Sequence, residues 1–354
     1  MTKEDIRAIL EEVKHPAQGE KSLVALGMVK DIDIQGDAVT LTLAFPKRRD
    51  PLAEYLIGSA RAALIRHLPE GMKAEVKTVV EEAPAPAKKP ALDLDFKGLE
   101  QVGPIVGIAS GKGGVGKSTV AVNLAVALAR LGFKVGLADA DVYGPSVPTM
   151  TGTEGFTPDA FKDESGREWI MPAEKYGVKW MSVGYFAERG QALIWRGPMA
   201  CNALKQMILQ VQWGELDFLL VDMPPGTGDI HISLVQDIPV SGAVIVTTPQ
   251  NVALADVEKG VAMFRNKSIN KPIFGLVENM SWFTPAAHPD ERYYLFGRDG
   301  GARMAERFGI DLLGQIPLVQ DIREGGDAGE PAALGSRPDS LAFLDLARNL
   351  SAKF

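Results

Sequence analysis

Apolar positions recur along this chain with two different periods, and the change between them divides it. Near the N-terminus Ile6, Ile9, Leu10 and Val13 fall at helical spacing behind Thr2 and Asp5, a capping-box arrangement, and His15-Pro16 ends that helix. A strand-like run over 23–34, a turn at Gly36-Asp37 and the alternation of Val39, Leu41, Leu43 and Phe45 predict a hairpin. Asp50-Pro51 opens a second helix with Leu52, Leu56, Ala60, Ala63 and Leu64 on one side, and 76–80 reads as a last strand. Residues 1–81 are therefore expected to form a small α+β module of order α-β-β-α-β. Residues 81–90 (Glu-Glu-Ala-Pro-Ala-Pro-Ala-Lys-Lys-Pro) cannot pack a core and stiffen toward polyproline II, so 82–102 is expected to be a linker.

From residue 103 onward short apolar runs alternate with helical patterns. The runs are 105–109, 135–138, 178–183, 217–221, 242–247, 273–277 and 312–316. Several are apolar throughout, as strands are when helices cover both faces of a parallel sheet. Residues 103–354 are expected to fold as an α/β domain around a doubly wound, mostly parallel sheet. The C-terminal segment, with Leu341, Phe343, Leu344, Leu346, Ala347 and Leu350, reads as a docking helix.

The richest chemistry lies between the first of these strands and the helix that follows. Gly111-Lys112-Gly113-Gly114-Val115-Gly116-Lys117-Ser118-Thr119 stands after Ile105–Ala109 and before a helical run from Val120 to Arg130. This is the strand–loop–helix setting of a phosphate-binding P-loop. Its glycines let successive amides face one phosphate chain, and the helix N-terminus adds to that field. Lys117 is expected on the β- and γ-phosphates, and Ser118 on the accompanying magnesium.

Two acidic strand ends complete the expected site. Strand 217–221 delivers Asp222, a candidate for the metal's water shell, followed by Met223-Pro224-Pro225-Gly226-Thr227-Gly228-Asp229, a candidate backbone switch. Strand 135–138 delivers Asp139 and Asp141. Asp141 is the choice for orienting the attacking water and Asp139 for assisting the metal or the loop, but their order is left open.

Composition narrows the output. A net charge of −7 disfavours a duplex-coating or membrane-surface protein, so no nucleic-acid or membrane partner is expected. Cys201 is the only cysteine, which precludes an intrachain disulfide and fits a reducing cytoplasm. Charges at Lys3, Glu4, Asp5 and Arg7 interrupt any signal-type apolar core.

The loop with its extra Lys112 looks like the deviant P-loop of the MinD/ParA-type ATPases. The whole chain resembles the Mrp/ApbC family of iron–sulfur cluster carriers within that class. The carrying segments are 138–146 (Ala-Asp-Ala-Asp-Val-Tyr-Gly-Pro-Ser), Trp195-Arg196-Gly197-Pro198-Met199, 222–229 and Val277-Glu278-Asn279-Met280-Ser281, together with the small N-terminal module. The resemblance implies ATP and Mg²⁺ as cofactors, slow hydrolysis of ATP to ADP and phosphate, and a homodimer in which Lys112 reaches the partner's nucleotide. It also implies adenine beside Asn279 and Pro317, and delivery of iron–sulfur clusters to apoproteins or exchange with assembly scaffolds.

At one place the chain departs from that family. After the Asn-Met-Ser segment the family carries C-x-x-C, whereas here Pro285 and His288 occupy those positions. A [4Fe–4S] cluster ordinarily takes four thiolates, and a dimer of this chain owns two, both Cys201. Cys201 and His288 are the remaining ligand candidates; thiolates from a partner, or a scaffold role without a bound cluster, are the alternatives. A dimerisation switch of the MinD/ParA kind is the rival function.

Overall fold

The structure is a computed structural model and describes residues 1–16, 21–45, 50, 52–69, 71–80, 96–142, 144–186, 197–285, 287–288 and 290–354. The predicted linker at 82–95, Pro51, Tyr143, Trp195 and Arg196 lie outside the described residues, as do the side chains of Pro198 and Asp229. The chain divides into two compact units, Met1–Asp93 and Leu94–Phe354.

In the first unit α1 (Lys3–Leu10) starts on the capping box read from the sequence. The Thr2 amide donates to Asp5 Oδ2 at 2.7 Å, and the Asp5 amide donates to Thr2 Oγ1 at 3.2 Å. Strand β1 (Val29–Gln35) pairs antiparallel with β2 (Ala38–Phe45), and β3 (Lys73–Val80) lies parallel to β2 after the crossover helix α2 (Ala53–His67). Two expected boundaries move. The first strand starts at 29 rather than 23, because Ser22 Oγ accepts from the Ala25 amide and Gly27 closes a turn at φ 67°. The last starts at 73 rather than 76, where the Lys73 amide meets the Asp37 carbonyl at 2.7 Å. Ile6, Leu10, Leu41, Leu43, Leu56 and Leu64 fill this unit's core.

The second unit is organised by an eight-stranded sheet. Its strands are β4 (Ile105–Ala109), β5 (Val135–Asp139), β8 (Ala173–Lys175), β9 (Val178–Ser182), β10 (Phe218–Asp222), β11 (Gly242–Thr247), β12 (Ile273–Phe283) and β13 (Leu312–Leu318). A separate hairpin is formed by β6 (Ala160–Lys162) and β7 (Glu168–Ile170). The sheet order is β13-β12-β11-β4-β10-β5-β9-β8, parallel throughout except for the β8–β9 edge pair. Every residue of β4, β5, β10 and β11 is buried, in keeping with helices on both faces. The chain joins this unit before residue 103: Leu99 is buried in its core, and Val102 bridges to Leu216.

The connecting helices are α3 (Lys117–Arg130), α4 (Val147–Thr151), α5 (Gly197–Leu209), α6 (Asp229–Asp237), α7 (Asn251–Phe264), α8 (Gly300–Phe308), α9 (Gln320–Ala328) and α10 (Pro338–Ser351). Helix α10 docks as its apolar spacing requires, burying Phe343, Leu344, Leu346, Ala347 and Leu350. Arg130 of α3 holds the turn before it by donating to the Gly335 carbonyl at 2.8 Å and to Ser340 Oγ at 3.1 Å. Among the described residues no helix is long and apolar enough to cross a membrane. Strand order reverses at β4, because the chain leaves it for β5 on one side and meets it again with β11 on the other. Ligands of doubly wound sheets bind outside the carboxyl ends of the strands at such a point.

Candidate nucleotide site

The loop after β4 sits at that switch point. Gly116 caps α3 with φ 80°, and a Cβ there would lie 2.3 Å from the side-chain Nδ2 of Asn279, so the position favours glycine. No side chain caps the helix, which leaves its first amides open toward the loop. Val115 is buried and its carbonyl accepts from Asn279 Nδ2 at 2.9 Å, tying the loop to β12. Gly111, Gly113, Gly114, Ser118 and Thr119 complete the cradle, and Lys112 is exposed on its rim.

Lys117 is 6% exposed, and its ammonium lies 2.6 Å from Asp222 Oδ1 and 3.3 Å from Ser118 Oγ. Parallel pairing of β10 with β5 sets Asp222 beside Asp139. Both carboxylates are fully buried. Burial, and then the neighbouring Asp222, raises Asp139 to about 7, against the pull of Lys117. Burial also pushes Asp222 upward, with the Lys117 ammonium working against it. Asp139 has both oxygens engaged by protein donors: Oδ1 by the Asp141 amide at 3.1 Å, Oδ2 by Ser182 Oγ at 2.9 Å and the Val147 amide at 3.3 Å. It therefore braces the 140–147 loop that presents the half-buried Asp141.

Asp222 Oδ2 is buried without a hydrogen-bond partner. An orphaned carboxylate oxygen beside the Ser118 hydroxyl, at the mouth of an amide-lined loop, suits a hard cation with an oxygen shell and hence a magnesium–triphosphate ligand. A cleft of about 610 Å³ opens next to the loop, lined among others by Thr119, Thr149, Asn279, Met280, Pro317 and Ile322. Asn279 and Pro317 thus share one cavity with the end of the P-loop. Met280, which the sequence did not single out, stands there with φ 55°, a left-handed conformation rare for a side chain of this size.

The iron–sulfur candidates are not brought together. Cys201 lies half-buried in α5, packed against the core, and its place on a helix after Pro198 is as expected. His288 is exposed in the loop after β12, where its Nδ1 is 3.5 Å from Glu291 Oε1. Among the described residues there is no group of three or more His, Cys, Asp or Glu side chains placed to hold a metal ion. One thiol per chain does not supply the four thiolates that a [4Fe–4S] cluster ordinarily takes.

The pattern of the family described as ParA, NUBPL iron-transfer P-loop NTPase, matches residues 101–351. The chain belongs to that family. A second pattern, iron–sulfur cluster assembly protein, matches residues 3–78. Among curated relatives, a Synechocystis protein named iron–sulfur cluster carrier protein is 43% identical over 356 aligned positions, covering 100% of this chain and 98% of its own. Among solved structures, a nucleotide-binding protein from Archaeoglobus fulgidus in complex with ADP is 35% identical, with a TM-score of 0.59 over 70% of this chain and 93% of that one. The cell division ATPase MinD of Pyrococcus furiosus, at 24% identity and a TM-score of 0.52 over 71% of this chain and 100% of its own, shares the fold. The mostly parallel α/β architecture and the family expected from residues 111–119, 138–146 and 222–229 are thereby borne out.

Besides Met280, three residues near the site escaped sequence reasoning. Ser182 closes β9, and Glu278 stands inside β12 where its apolar run is interrupted, each a buried polar residue on a sheet strand as Asp222 is. The Glu278 carboxylate accepts from the Gly301 amide at 2.5 Å and from Gln315 Nε2 at 2.8 Å. His231, in the first turn of α6, carries no local signal at all.

Proposed function

We propose that this chain is a magnesium-dependent ATPase that works as a homodimer in iron–sulfur cluster delivery, taking the cluster as cargo on thiolates supplied by its partner proteins. The observation that carries the nucleotide half is the buried Lys117–Asp222 pair at the end of the P-loop. The Lys117 ammonium lies on the carboxylate that would face the metal; a triphosphate would compete with Asp222 for it, and Asp222 and the Ser118 hydroxyl would hold magnesium. The metal supplies charge neutralisation on the phosphates. The loop amides and Lys117 bind and orient the γ-phosphate, while Asp141, braced through Asp139, orients the attacking water. Lys112, exposed on the rim, reaches the second subunit's nucleotide.

The cargo half rests on the iron-transfer family and on cysteine count. One thiol per chain leaves even a dimer short of the four that a cubane cluster takes. Recipient and scaffold proteins then provide the ligands, and the nucleotide state governs their docking. Anaerobic incubation with iron and sulfide, followed by iron and sulfide counting and visible absorption, tests this directly. The chain alone is expected to stay colourless, and a mixture with a thiol-bearing apoprotein to transfer cluster faster with MgATP. A stable brown dimer of the chain alone refutes the partner-thiolate reading. Transfer indifferent to nucleotide refutes the ATP-driven one. MgATP-dependent dimerisation in analytical ultracentrifugation, without any effect on cluster transfer, would favour the plain dimerisation switch.

A further inference from the structure

Buried polar atoms in a folded protein nearly all find partners, so those left over point to an arrangement not yet made. Among the described residues five buried side-chain atoms lack one: Ser110 Oγ, Asp222 Oδ2, both ring nitrogens of His231, and Asp339 Oδ2. Four of the five flank one short segment, Met223–Gly228, which runs from the end of β10 to the start of α6. Ser110 stands between β4 and the P-loop, and Asp222 is the proposed metal-side carboxylate. His231 does not belong to that cradle, and its two orphaned nitrogens call for a separate account.

His231 is 2% exposed and lies edge-on to Phe264 of α7, with ring centroids 5.8 Å apart. The backbone of Gly226 and Pro224 faces the imidazole and favours its charged form, yet neither nitrogen is in hydrogen-bond geometry. Burial outweighs that attraction, with the Lys117 ammonium adding to it, and lowers His231 to about 4, so the ring is neutral and retains one N–H. The facing segment has room to move. Gly226 sits at φ 84° and a Cβ there would meet nothing within 4 Å, while its amide holds the loop to the Ser110 carbonyl at 3.0 Å.

We infer that His231 is a positioning residue of the nucleotide switch: when nucleotide is bound, its ring N–H donates to a carbonyl of the Pro224–Gly226 segment and draws that segment onto the first turn of α6. The switch is then read by α6 as a body. Asp237 at the far end of that helix is ion-paired with Lys205 of α5, the helix that carries Cys201, so the motion has a route away from the phosphates. This rests on the ATP reading given above and adds to it the group that senses closure from the protein side.

The full chain has only four histidines, so histidine labelled with ¹⁵N gives a directly readable set of imidazole signals. Spectra are recorded without nucleotide and with magnesium plus a non-hydrolysable ATP analogue. One ring, identified by its absence in His231→Gln, is expected to shift and to gain an exchange-protected N–H. Calorimetry on the same samples separates the outcomes: no heat of binding overturns the ATP reading and the latch together, whereas binding with an unchanged His231 signal overturns the latch alone. In steady-state hydrolysis His231→Leu is expected to lower kcat about tenfold, roughly the rate equivalent of one hydrogen bond, with KM for ATP nearly unmoved. His231→Gln, which keeps an N–H donor, is expected to restore most of that loss. Equal losses in both variants would reduce His231 to a packing residue and overturn the proposal.

Discussion

The nucleotide cradle and the loop that follows β12 lie in the same unit of the molecule, and they treat polar groups in opposite ways. Beside the cradle, Ser110 Oγ and Asp222 Oδ2 are buried without partners, and Lys117 lies on the other oxygen of Asp222. In the loop, polar groups are paired locally. Phe283 and Tyr293 exchange both backbone hydrogen bonds at 2.8 Å, the Tyr293 hydroxyl donates to Glu291 at 2.5 Å, His288 pairs with Glu291, and the Arg292 guanidinium stacks 4.2 Å from the Trp282 ring. The difference teaches where this chain expects a ligand. A site that is to be filled carries groups the protein itself leaves unsatisfied, while the loop after β12 satisfies its own.

The comparison breaks most readily at Lys117. Lys117→Ala should lower phosphate release by about 10²–10³-fold, the cost of removing one preorganised charge stabiliser, and wild-type-like release would remove the ground for calling this end of the sheet a site. Asp141→Asn should follow, with a loss of about 10²-fold in kcat and nucleotide binding kept, measured by single-turnover hydrolysis beside calorimetry.

A subtler test uses protons. His231 is held near 4 in the native protein against 6.5 for an ordinary imidazole, so the unfolded chain takes up its proton first as pH drops. Stability present above pH 6.5 is lost as pH falls toward 4, by about 3 kcal/mol in all. Asp139 bends the profile the other way: its native carboxyl, raised to about 7, keeps its proton to higher pH than in the unfolded chain, so its contribution falls as pH rises from 3.8. The difference between wild type and His231→Gln in denaturant titrations therefore isolates the histidine, and parallel profiles for the two would show the ring to be in contact with water. The smallest effect is expected in the loop. His288→Ala removes an exposed pair and should change stability by less than about 0.5 kcal/mol and hydrolysis not at all; a larger change in either would mean the loop is engaged in the chemistry after all.

Much of the fold was legible because its signals are local. The apolar runs at 105–109 and 242–247 are strands to the residue, and Asp222 is recognisable as an acid that ends one of them, although it belongs to the strand itself. Legibility failed where a partner comes from far away in sequence. The reading stopped the sixth run at Val277, since Glu278, Asn279 and Ser281 break its apolar character, yet β12 continues to Phe283. The Glu278 carboxylate is tolerated there only because the Gly301 amide and Gln315 reach it. Between the second and third predicted runs, the segment 151–177 contains β6, β7 and the edge strand β8, too short for periodicity to register. His231 was invisible for the same reason: what makes it unusual is the absence of a neighbour, which no spacing encodes.

The Asp222 carboxylate that holds Lys117 also bears on what the loop can take. Any anion that approaches the loop competes with a tethered rival already 2.6 Å from the ammonium. A nucleotide would bring along a cation for the displaced carboxylate to hold, which a lone phosphate or sulfate does not. On the proposed ATP reading, the buried ion pair would thus favour an anion that arrives with its own cation, before the base or the sugar is read.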